Sequence, residues 1–159
     1  MFNSFKEDLK VNHAKWYHRA FWFFLFLRGS QISRGGIAQI FRVLCKLGKK
    51  IVLIGSNCEL PSDALVGKRI YIPHFNGIIV SPYARIEDEA CILQQVTIGV
   101  DFEKDPFKAP KLGKNVLLGA GAKLIGDISL GDNVKVGANA VVTKDIPANK
   151  TVVGANRLL

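Results

Sequence analysis

The stretch from Leu112 to Ala148 reads LGKNVL LGAGAK LIGDIS LGDNVK VGANAV VTKDIP A. Aliphatic residues occupy every sixth position, namely Leu112, Leu118, Leu124, Leu130, Val136 and Val142. A second series of small or apolar residues follows, each four residues after a member of the first series, namely Val116, Ala122, Ile128, Val134, Ala140 and Ile146. A helical period of about 3.6 or a strand period of about 2 does not produce this pattern. The fixed six-residue period therefore predicts a hexapeptide β-helix.

The repeat has a simple physical basis. Each hexapeptide forms one flat side and one corner of a triangular coil, so three of them close one turn. The aliphatic residues point into the prism, and stacked coils satisfy each other's backbone groups at a spacing of about 4.8 Å. One coil cannot bury its own apolar face, so several coils must stack and the end coils need caps.

The same pattern extends upstream with one irregularity. Val66, Ile72 and Ile78 are six residues apart, the phase then slips by two, and a second run follows. That run is Val80, Ile86, Ile92 and Ile98, with Ala84, Ala90 and Val96 as its small partners. Residues 99–111 (GVDFEKDPFKAPK) hold three acidic residues, three lysines and two prolines, with no inward series. This segment is predicted to be a loop extruded from the prism, where binding chemistry is often found.

Composition limits the class of protein. With 159 residues and 48% hydrophobic residues, the chain fits one domain with a sizeable core. Its three cysteines form no C-x-x-C motif, which predicts reduced thiols in a cytoplasmic protein. We expect no signal peptide, because the first ten residues are polar and charged. The longest apolar run, residues 20–27, is too short to cross a bilayer.

The positive charge is concentrated in the first third of the chain. Residues 1–50 hold ten Lys or Arg and two Asp or Glu, whereas the whole chain has a net charge of +9. We therefore divide the chain into a basic, aromatic segment (1–50) and a β-helix domain (51–159). Seven aromatic residues between 16 and 26 interrupt the basic residues, so a membrane surface or a packing face is favoured over nucleic acid.

Helices are predicted within this segment. Residues 4–28 have helical composition, and residues 36–47 form an amphipathic helix that Gly48 and Lys49-Lys50 should end. Its apolar stripe consists of Ile37, Ile40, Phe41, Leu44 and Leu47. Residues 51–54 are predicted to be a short strand. Two interpretations remain open: a helical cap over the open end of the β-helix and a neighbouring subunit, or peripheral contact of residues 1–28 with the inner face of the membrane.

His74 is the single histidine of residues 51–159. A β-helix enzyme with a three-histidine metal site needs more than one histidine per chain, so no metal is expected. A lone histidine is either structural or a general base. His13 and His18 in the basic segment are expected to be surface residues.

The run from about Cys58 to Gly154 resembles serine acetyltransferase and its relatives among the left-handed β-helix acyltransferases. The matching residues are ELPSDALVGKRIYIPHFNGIIV, ILQQVTIG and LLGAGAKLIGDISLGDNVKVGANAVV. The resemblance implies a left-handed parallel β-helix, transfer of acetyl from acetyl-CoA to a hydroxyl, and a homotrimer with the coenzyme between subunits. In that family the histidine of H-x-x-G-[IV]-V is the general base, and His74-Phe75-Asn76-Gly77-Ile78-Ile79-Val80 fits this motif closely.

The resemblance also implies the other site residues. Glu59, where the family usually has Asp, would orient His74. Ala120 and Ala138 would contact the pantetheine, and Lys135 would lie near the phosphates. Lys144 and Arg157 would meet the 3′-phosphate, while Asn76 and Lys108 would contact the acceptor. Cys91 is expected to be a packed thiol, so the acetyl group should pass directly to the acceptor.

Two departures affect the expected acceptor. Serine acetyltransferases carry an Arg-His pair in the extruded loop that binds the amino acid's carboxylate, whereas this chain has Lys108-Ala109. Their long helical N-terminal domain is reduced here to about fifty residues. We therefore expect the hydroxyl of a sugar or of a cell-surface polysaccharide precursor, with serine or another small alcohol as the alternative acceptor.

Overall fold

The computed structural model describes residues 2–31, 36–64, 67–154 and 157–158. Three α-helices come first: α1 (Phe2–Val11), α2 (Arg19–Ser30) and α3 (Gly36–Val52). Twelve short strands follow: β1 (Ile79–Val80), β2 (Arg85–Ile86), β3 (Cys91–Ile92), β4 (Thr97–Gly99), β5 (Lys111–Leu112), β6 (Leu117–Leu118), β7 (Lys123–Ile125), β8 (Ser129–Leu130), β9 (Lys135–Val136), β10 (Val141–Val142), β11 (Thr151–Val153) and β12 (Arg157–Leu158).

The strands form three faces of a prism. The first face contains β1, β4, β7 and β10, the second contains β2, β5 and β8, and the third contains β3, β6, β9 and β11. Neighbouring strands within each face are parallel and in register, as where Ile98 pairs with Val80 and Leu124. At the end of the third face, β12 pairs antiparallel with β11. This is the predicted left-handed β-helix of hexapeptide repeats.

The predicted inward series forms the core of the prism. Every described member of the aliphatic series is buried, as are their small partners from Ala84 to Ile146. Both Ile78 and Val80 are buried on either side of the phase slip. Val66, the first predicted member, lies outside the described residues. The period alone therefore identified the residues that exclude water from the coil interior.

The extruded loop leaves the prism at the edge between the first and second faces. Phe102 and Phe107 at its tip are exposed, whereas Ala109 and Pro110 at its end are buried against the prism. Asp101 pairs with Asp105 as an antiparallel bridge that closes the loop on itself. The loop position agrees with the break in the inward series.

Helix α1 covers the open end of the prism. The backbone N–H of Ile70 donates to the Asp8 carboxylate at 3.1 Å, and that of Ile72 donates to the Asn12 side-chain oxygen at 2.8 Å. The Asn12 amide donates to the Ile70 carbonyl at 2.7 Å. Asp8 and Asn12, one helical turn apart, thereby replace the backbone partners that a further coil would supply. A helical cap is one of the two interpretations that the sequence left open.

A buried ion pair fixes α2 to this cap. The Arg28 guanidinium lies 2.8 Å from the Asp8 carboxylate and donates to the Gly67 carbonyl at 2.6 Å. Burial raises the pKa of Asp8, although the hydrogen bond and charge of Arg28 oppose the rise. Phe23, Phe24 and Leu27 of α2 are completely buried in the same core as the prism. Helices α1 and α2 are therefore an integral part of the fold.

The helices differ from the sequence-based expectation in their bounds. Residues 12–18 separate α1 from α2, so the segment 4–28 is not one helix. Helix α3 continues through Gly48 to Val52, and residues 51–54 form no strand. Gly48 lies inside the helix because α2 packs closely there: a Cβ at this position would lie 2.7 Å from the Phe26 ring. The close approach of two helices, rather than a helix end, accounts for this glycine.

The residues of the apolar stripe predicted for α3 lie on one face of the helix, as their spacing indicates. That face is exposed in the chain, and the opposite face packs against the protein. None of the described helices is long and apolar enough to span a membrane.

Candidate active site

His74 lies in a cleft between the prism and the helical segment. The cleft has a volume of about 890 Å³. Tyr71, His74, Asn76 and Gln94 line it from the prism, and Asn12 with residues 17–20 lines it from the helices. The cap formed by α1 brings the start of α2 to this position. Phe23 of α2 then packs on Phe75, beside the histidine, with ring centroids 5.0 Å apart.

The edge of the prism that carries His74 continues along the coils. This edge joins the third face to the first, and backbone hydrogen bonds connect its successive corners. The Gln95 N–H donates to the Asn76 carbonyl at 2.8 Å, and the Gly121 N–H donates to the Gln94 carbonyl at 2.9 Å. The Asn139 N–H donates to the Ala120 carbonyl at 2.8 Å. His74, Ala120 and Ala138 therefore lie at stacked corners of one edge.

Small residues keep this edge narrow. Ala138 is exposed and Ala120 is half-buried, so both corners reach the surface. A Cβ at Gly119 would lie 2.6 Å from the Ala138 nitrogen, so only glycine permits the two coils to stack this closely. An extended ligand can approach the backbone along such an edge, which suits the role that the resemblance implies for the two alanines.

The predicted cationic residues are distributed over different parts of the prism. Lys135 is exposed on β9, three residues before Ala138 and on the same edge of the third face. Lys144 is exposed beyond β10, past the next edge of the prism. Arg157 begins β12, and its side chain lies outside the described residues. Lys135 thus lies next to the edge that carries Ala120 and Ala138, which we call the alanine edge, whereas Lys144 lies past the following edge.

Glu59 lies on the first face of the prism, one coil before Ile79, and not on the edge that carries His74. It pairs with Ile79 in a parallel bridge, and the neighbouring Gly77 N–H donates to the Ser56 carbonyl at 2.8 Å. Glu59 lines a second cavity of about 500 Å³ beside the end of α3. Within the described part of the chain, no hydrogen bond joins Glu59 to His74. Catalytic hydrogen bonds often tighten only in the complex with substrate.

Lys108 forms ion pairs at another edge of the prism. Its ammonium lies 3.3 Å from the Asp127 carboxylate and 3.8 Å from that of Asp105. The hydrogen bond and charge of Asp127 raise the pKa of Lys108. This edge joins the first face to the second, so within one chain Lys108 does not reach the cleft of His74.

The sequence analysis missed the basic residues of the cleft. His18 is the N-cap of α2 and Arg19 is its first residue, and both are exposed side chains that line the cleft. No Asp or Glu is found among the described residues of its lining. Their signal in the sequence is a basic pair at the start of a helix, but only the cap geometry brings that pair to the cleft of His74.

Other chemistry is limited at this site. The described residues contain no group of three or more His, Cys, Asp or Glu suited to hold a metal ion. Burial raises the pKa of the Cys91 thiol, which disfavours the thiolate that a nucleophile would need. The polar groups that line the cleft are two imidazoles, three side-chain amides, two phenols and one guanidinium, from His18, His74, Asn12, Asn76, Gln94, Tyr17, Tyr71 and Arg19.

Comparison with known proteins agrees with the repeat and the fold. Residues 109–144 match the bacterial transferase hexapeptide family, with six repeats. A serine acetyltransferase of Mycobacterium tuberculosis is 33% identical over 143 residues, which cover 89% of this chain and 57% of the relative. The chain thus spans little more than half the length of this curated relative.

Solved structures of serine acetyltransferases have a similar fold. Soybean serine acetyltransferase complexed with serine has a TM-score of 0.81 and 27% identity, covering 99% of this chain and 68% of that one. A serine acetyltransferase in complex with CoA has a TM-score of 0.78 and 25% identity, covering 99% and 68%.

The fold and the repeat define a hexapeptide-repeat transferase with a left-handed β-helix. Within that class, the sequence and the fold of the chain are similar to those of serine acetyltransferases. These relatives overturn one expectation from the sequence. A sugar or polysaccharide hydroxyl was the expected acceptor, and that expectation is wrong, because the matched relatives and structures are serine acetyltransferases. The alternative acceptor, serine, is the better supported one.

Proposed function

We propose that this chain transfers an acetyl group from acetyl-CoA to the hydroxyl of serine. The observation that carries the proposal is the single edge of the prism on which His74 and the corners of Ala120 and Ala138 are stacked. Acceptor and thioester can meet at one end of that edge. The serine acetyltransferases solved with serine and with CoA support the choice of both substrates.

His74 acts as the general base in this proposal. Its imidazole accepts the proton of the acceptor hydroxyl while that oxygen attacks the thioester carbonyl. The tetrahedral intermediate then collapses, the C–S bond breaks, and the imidazolium returns the proton to the CoA sulfur. Glu59 is the proposed positioning residue, which would hold the imidazole tautomer as acids do in other His-carboxylate pairs. Asn76, in the same cleft, would contact the acceptor.

Acetyl-CoA is proposed to extend along the alanine edge. Ala120 and Ala138 would contact its pantetheine through their backbone, and Lys135 would lie near its phosphates. Lys144 and Arg157 remain proposed partners of the 3′-phosphate. The exposure of Ala138 leaves the edge without an outer wall from the same chain. A neighbouring subunit of a homotrimer would supply that wall. The three free cysteines support a reducing compartment, which we propose to be the cytoplasm.

Serine-dependent release of free CoA tests the proposed function directly. We expect CoA release from acetyl-CoA to rise with serine and to stay at the background rate without an acceptor. Threonine, with a methyl group on the reacting carbon, serves as the matched acceptor and should react more slowly. Equal CoA release with and without serine would contradict the proposal.

Arg19 is our proposed ligand for the carboxylate of serine. Lys108 already has carboxylate partners, whereas Arg19 is an exposed cation in a cleft without described acidic residues. Arg19→Ala should raise the KM for serine roughly 10- to 100-fold, the usual cost of losing a hydrogen bond to a charged group. Arg19→Lys should recover only part of the loss, because an ammonium cannot bind a carboxylate in two parallel bonds.

The control for this experiment is Lys10→Ala, which removes an exposed cation of α1 that does not line the cleft. Its KM for serine should stay at the wild-type value, and the KM for acetyl-CoA should stay unchanged in all three variants. An unaltered KM for serine in Arg19→Ala would exclude Arg19 as the carboxylate ligand.

A further inference from the structure

Helix α3 presents its apolar side to solvent. The exposed fraction is 87% for Ile37, 65% for Ile40 and 58% for Leu44. The other exposed apolar side chains of this helix are Phe41, Val43, Leu47 and Ile51. At 100° per residue these seven residues occupy one continuous side of the helix. We call this side, with its seven residues, the α3 stripe.

The inward side of α3 contains buried cations that hold the helix in this orientation. The Arg42 guanidinium donates to the Ser30 carbonyl at 3.1 Å. The Lys49 ammonium donates to the Leu60 carbonyl at 2.6 Å and to the Ser62 hydroxyl at 2.8 Å. Rotating the helix to bury the α3 stripe would break these hydrogen bonds to buried charged groups. The outward direction of the stripe is therefore built into the fold.

The apolar surface continues onto α2. The Phe26 ring packs against α3 at Gly48, and Trp22 packs on Phe26 with ring centroids 6.1 Å apart. Trp22 is 42% exposed. Tryptophan is favoured where an apolar body meets a polar boundary, as at the surface of a bilayer. The two helices thus expose one surface rather than isolated apolar residues.

The charges beside the α3 stripe have one sign. Lys46 and Lys50 are exposed along one flank of the stripe. The sequence contains no Asp or Glu from residue 9 to residue 58. The two acidic residues before that stretch are already paired, since Asp8 bonds Arg28 and Glu7 lies 2.9 Å from Arg69. Neither helix of the surface therefore offers an anion to a cationic partner.

This charge pattern distinguishes the possible occupants. A second copy of the chain, joined by a two-fold axis, would bring the same lysines together without a carboxylate to pair them. A neighbouring subunit of the proposed trimer would present a different surface to the stripe, and the mass measurement described below tests that occupant. An anionic bilayer supplies the missing negative charge and accepts the aliphatic side chains below it. We infer that the α3 stripe docks this protein on a membrane surface with anionic headgroups, with α3 lying in the plane of the interface.

The inference goes beyond the proposed transfer reaction and does not rest on it. It also assigns the membrane contact to α3 and to the adjoining Trp22 of α2, whereas Phe23, Phe24 and Leu27 of residues 1–28 are buried in the core and unable to reach a membrane.

Vesicle co-sedimentation of the full chain tests the inference. The probes are vesicles of phosphatidylcholine alone and of phosphatidylcholine mixed with phosphatidylglycerol. We expect binding to the anionic vesicles and far less to the neutral ones. Ile40→Asp with Leu44→Asp should abolish binding, since each apolar side chain contributes roughly tenfold or more. Lys46→Glu and Lys50→Glu should each weaken it about fivefold or more.

Matched controls come from exposed positions outside this surface. Phe102→Asp removes an 83% exposed aromatic residue of the extruded loop, and Lys114→Glu reverses an exposed charge on the prism. Both should bind like the wild type. Light scattering should give the same mass for the wild type and for the Ile40→Asp, Leu44→Asp variant, and CoA release should be the same for both.

Three results would each overturn the inference. One is wild-type protein that does not bind anionic vesicles. Another is an Ile40→Asp, Leu44→Asp variant that binds them as well as the wild type does. The last is a fall in mass of that variant, because it would identify a second copy of the chain as the occupant of the α3 stripe.

Discussion

Replacing His74 by alanine is expected to lower kcat by roughly 10²- to 10⁴-fold, the usual contribution of a general base. The KM for acetyl-CoA should barely change, because the imidazole faces the acceptor in the cleft shared with Asn76. Steady-state CoA release, measured at saturating serine with varied acetyl-CoA, checks both expectations.

The second half of this experiment concerns Glu59. Glu59→Gln should lower kcat less than His74→Ala does, because the base remains but its tautomer is poorly held. The double variant should be little slower than His74→Ala, as residues that act as a unit are not additive. Fully additive losses would instead indicate that Glu59 acts independently, consistent with its place in the separate cavity beside α3.

His13→Ala is the matched control for the imidazole. His13 is exposed in the segment between α1 and α2 and does not line the cleft of His74. Its kcat should equal that of the wild type. Acetyl transfer at a near wild-type rate in His74→Ala, with serine as acceptor, would contradict the proposed mechanism.

Replacing Leu118 by aspartate is expected to abolish the cooperative fold. Leu118 has an exposed fraction of 0% and lies in register between Ile92 and Val136 in the middle coils. An unpaired carboxylate there loses its hydration without gaining a partner. That cost is comparable to the whole stability of a domain, about 5–15 kcal/mol. Circular dichroism during heating should show no sigmoidal transition for this variant.

Leu117→Asp is the matched control, because this neighbouring side chain points outward and is 38% exposed. It should retain a cooperative transition. Leu118→Ala provides a milder test if the aspartate variant is insoluble, with an expected loss of about 2–5 kcal/mol in the free energy of unfolding. Equal melting of Leu117→Asp and Leu118→Asp would show that the inward series is misassigned.

The charged residues buried near the cap behave differently from a charge introduced at Leu118. Asp8 is fully buried, yet it accepts hydrogen bonds from Arg28 and from the Ile70 backbone. Lys49 is buried as well, and burial lowers its pKa to about 8. Every charged atom there has a partner within the chain, which is why these positions tolerate charge and the prism interior does not.

The sequence by itself determined the prism. A six-residue period is a local property, since each hexapeptide specifies one side and one corner, and stacking follows from the backbone groups that every coil leaves open. The inward residues, the extruded loop and the histidine motif could therefore be recognised from spacing and resemblance. The relatives, rather than the sequence pattern, were needed to replace a sugar acceptor by serine.

Only the tertiary structure decided which side of α3 faces outward. The 3.6-residue pattern identified the stripe of Ile37, Ile40 and Leu44 but contained no information about the partners of Arg42 and Lys49. Those partners are the Ser30 carbonyl, the Leu60 carbonyl and the Ser62 hydroxyl, which other segments bring beneath the helix. The placement of Arg19 in the cleft that also contains His74 has a similar origin, because Asp8 and Asn12 hold α1 on Ile70 and Ile72 far along the chain. Long-range hydrogen bonds of this kind leave no period in a sequence.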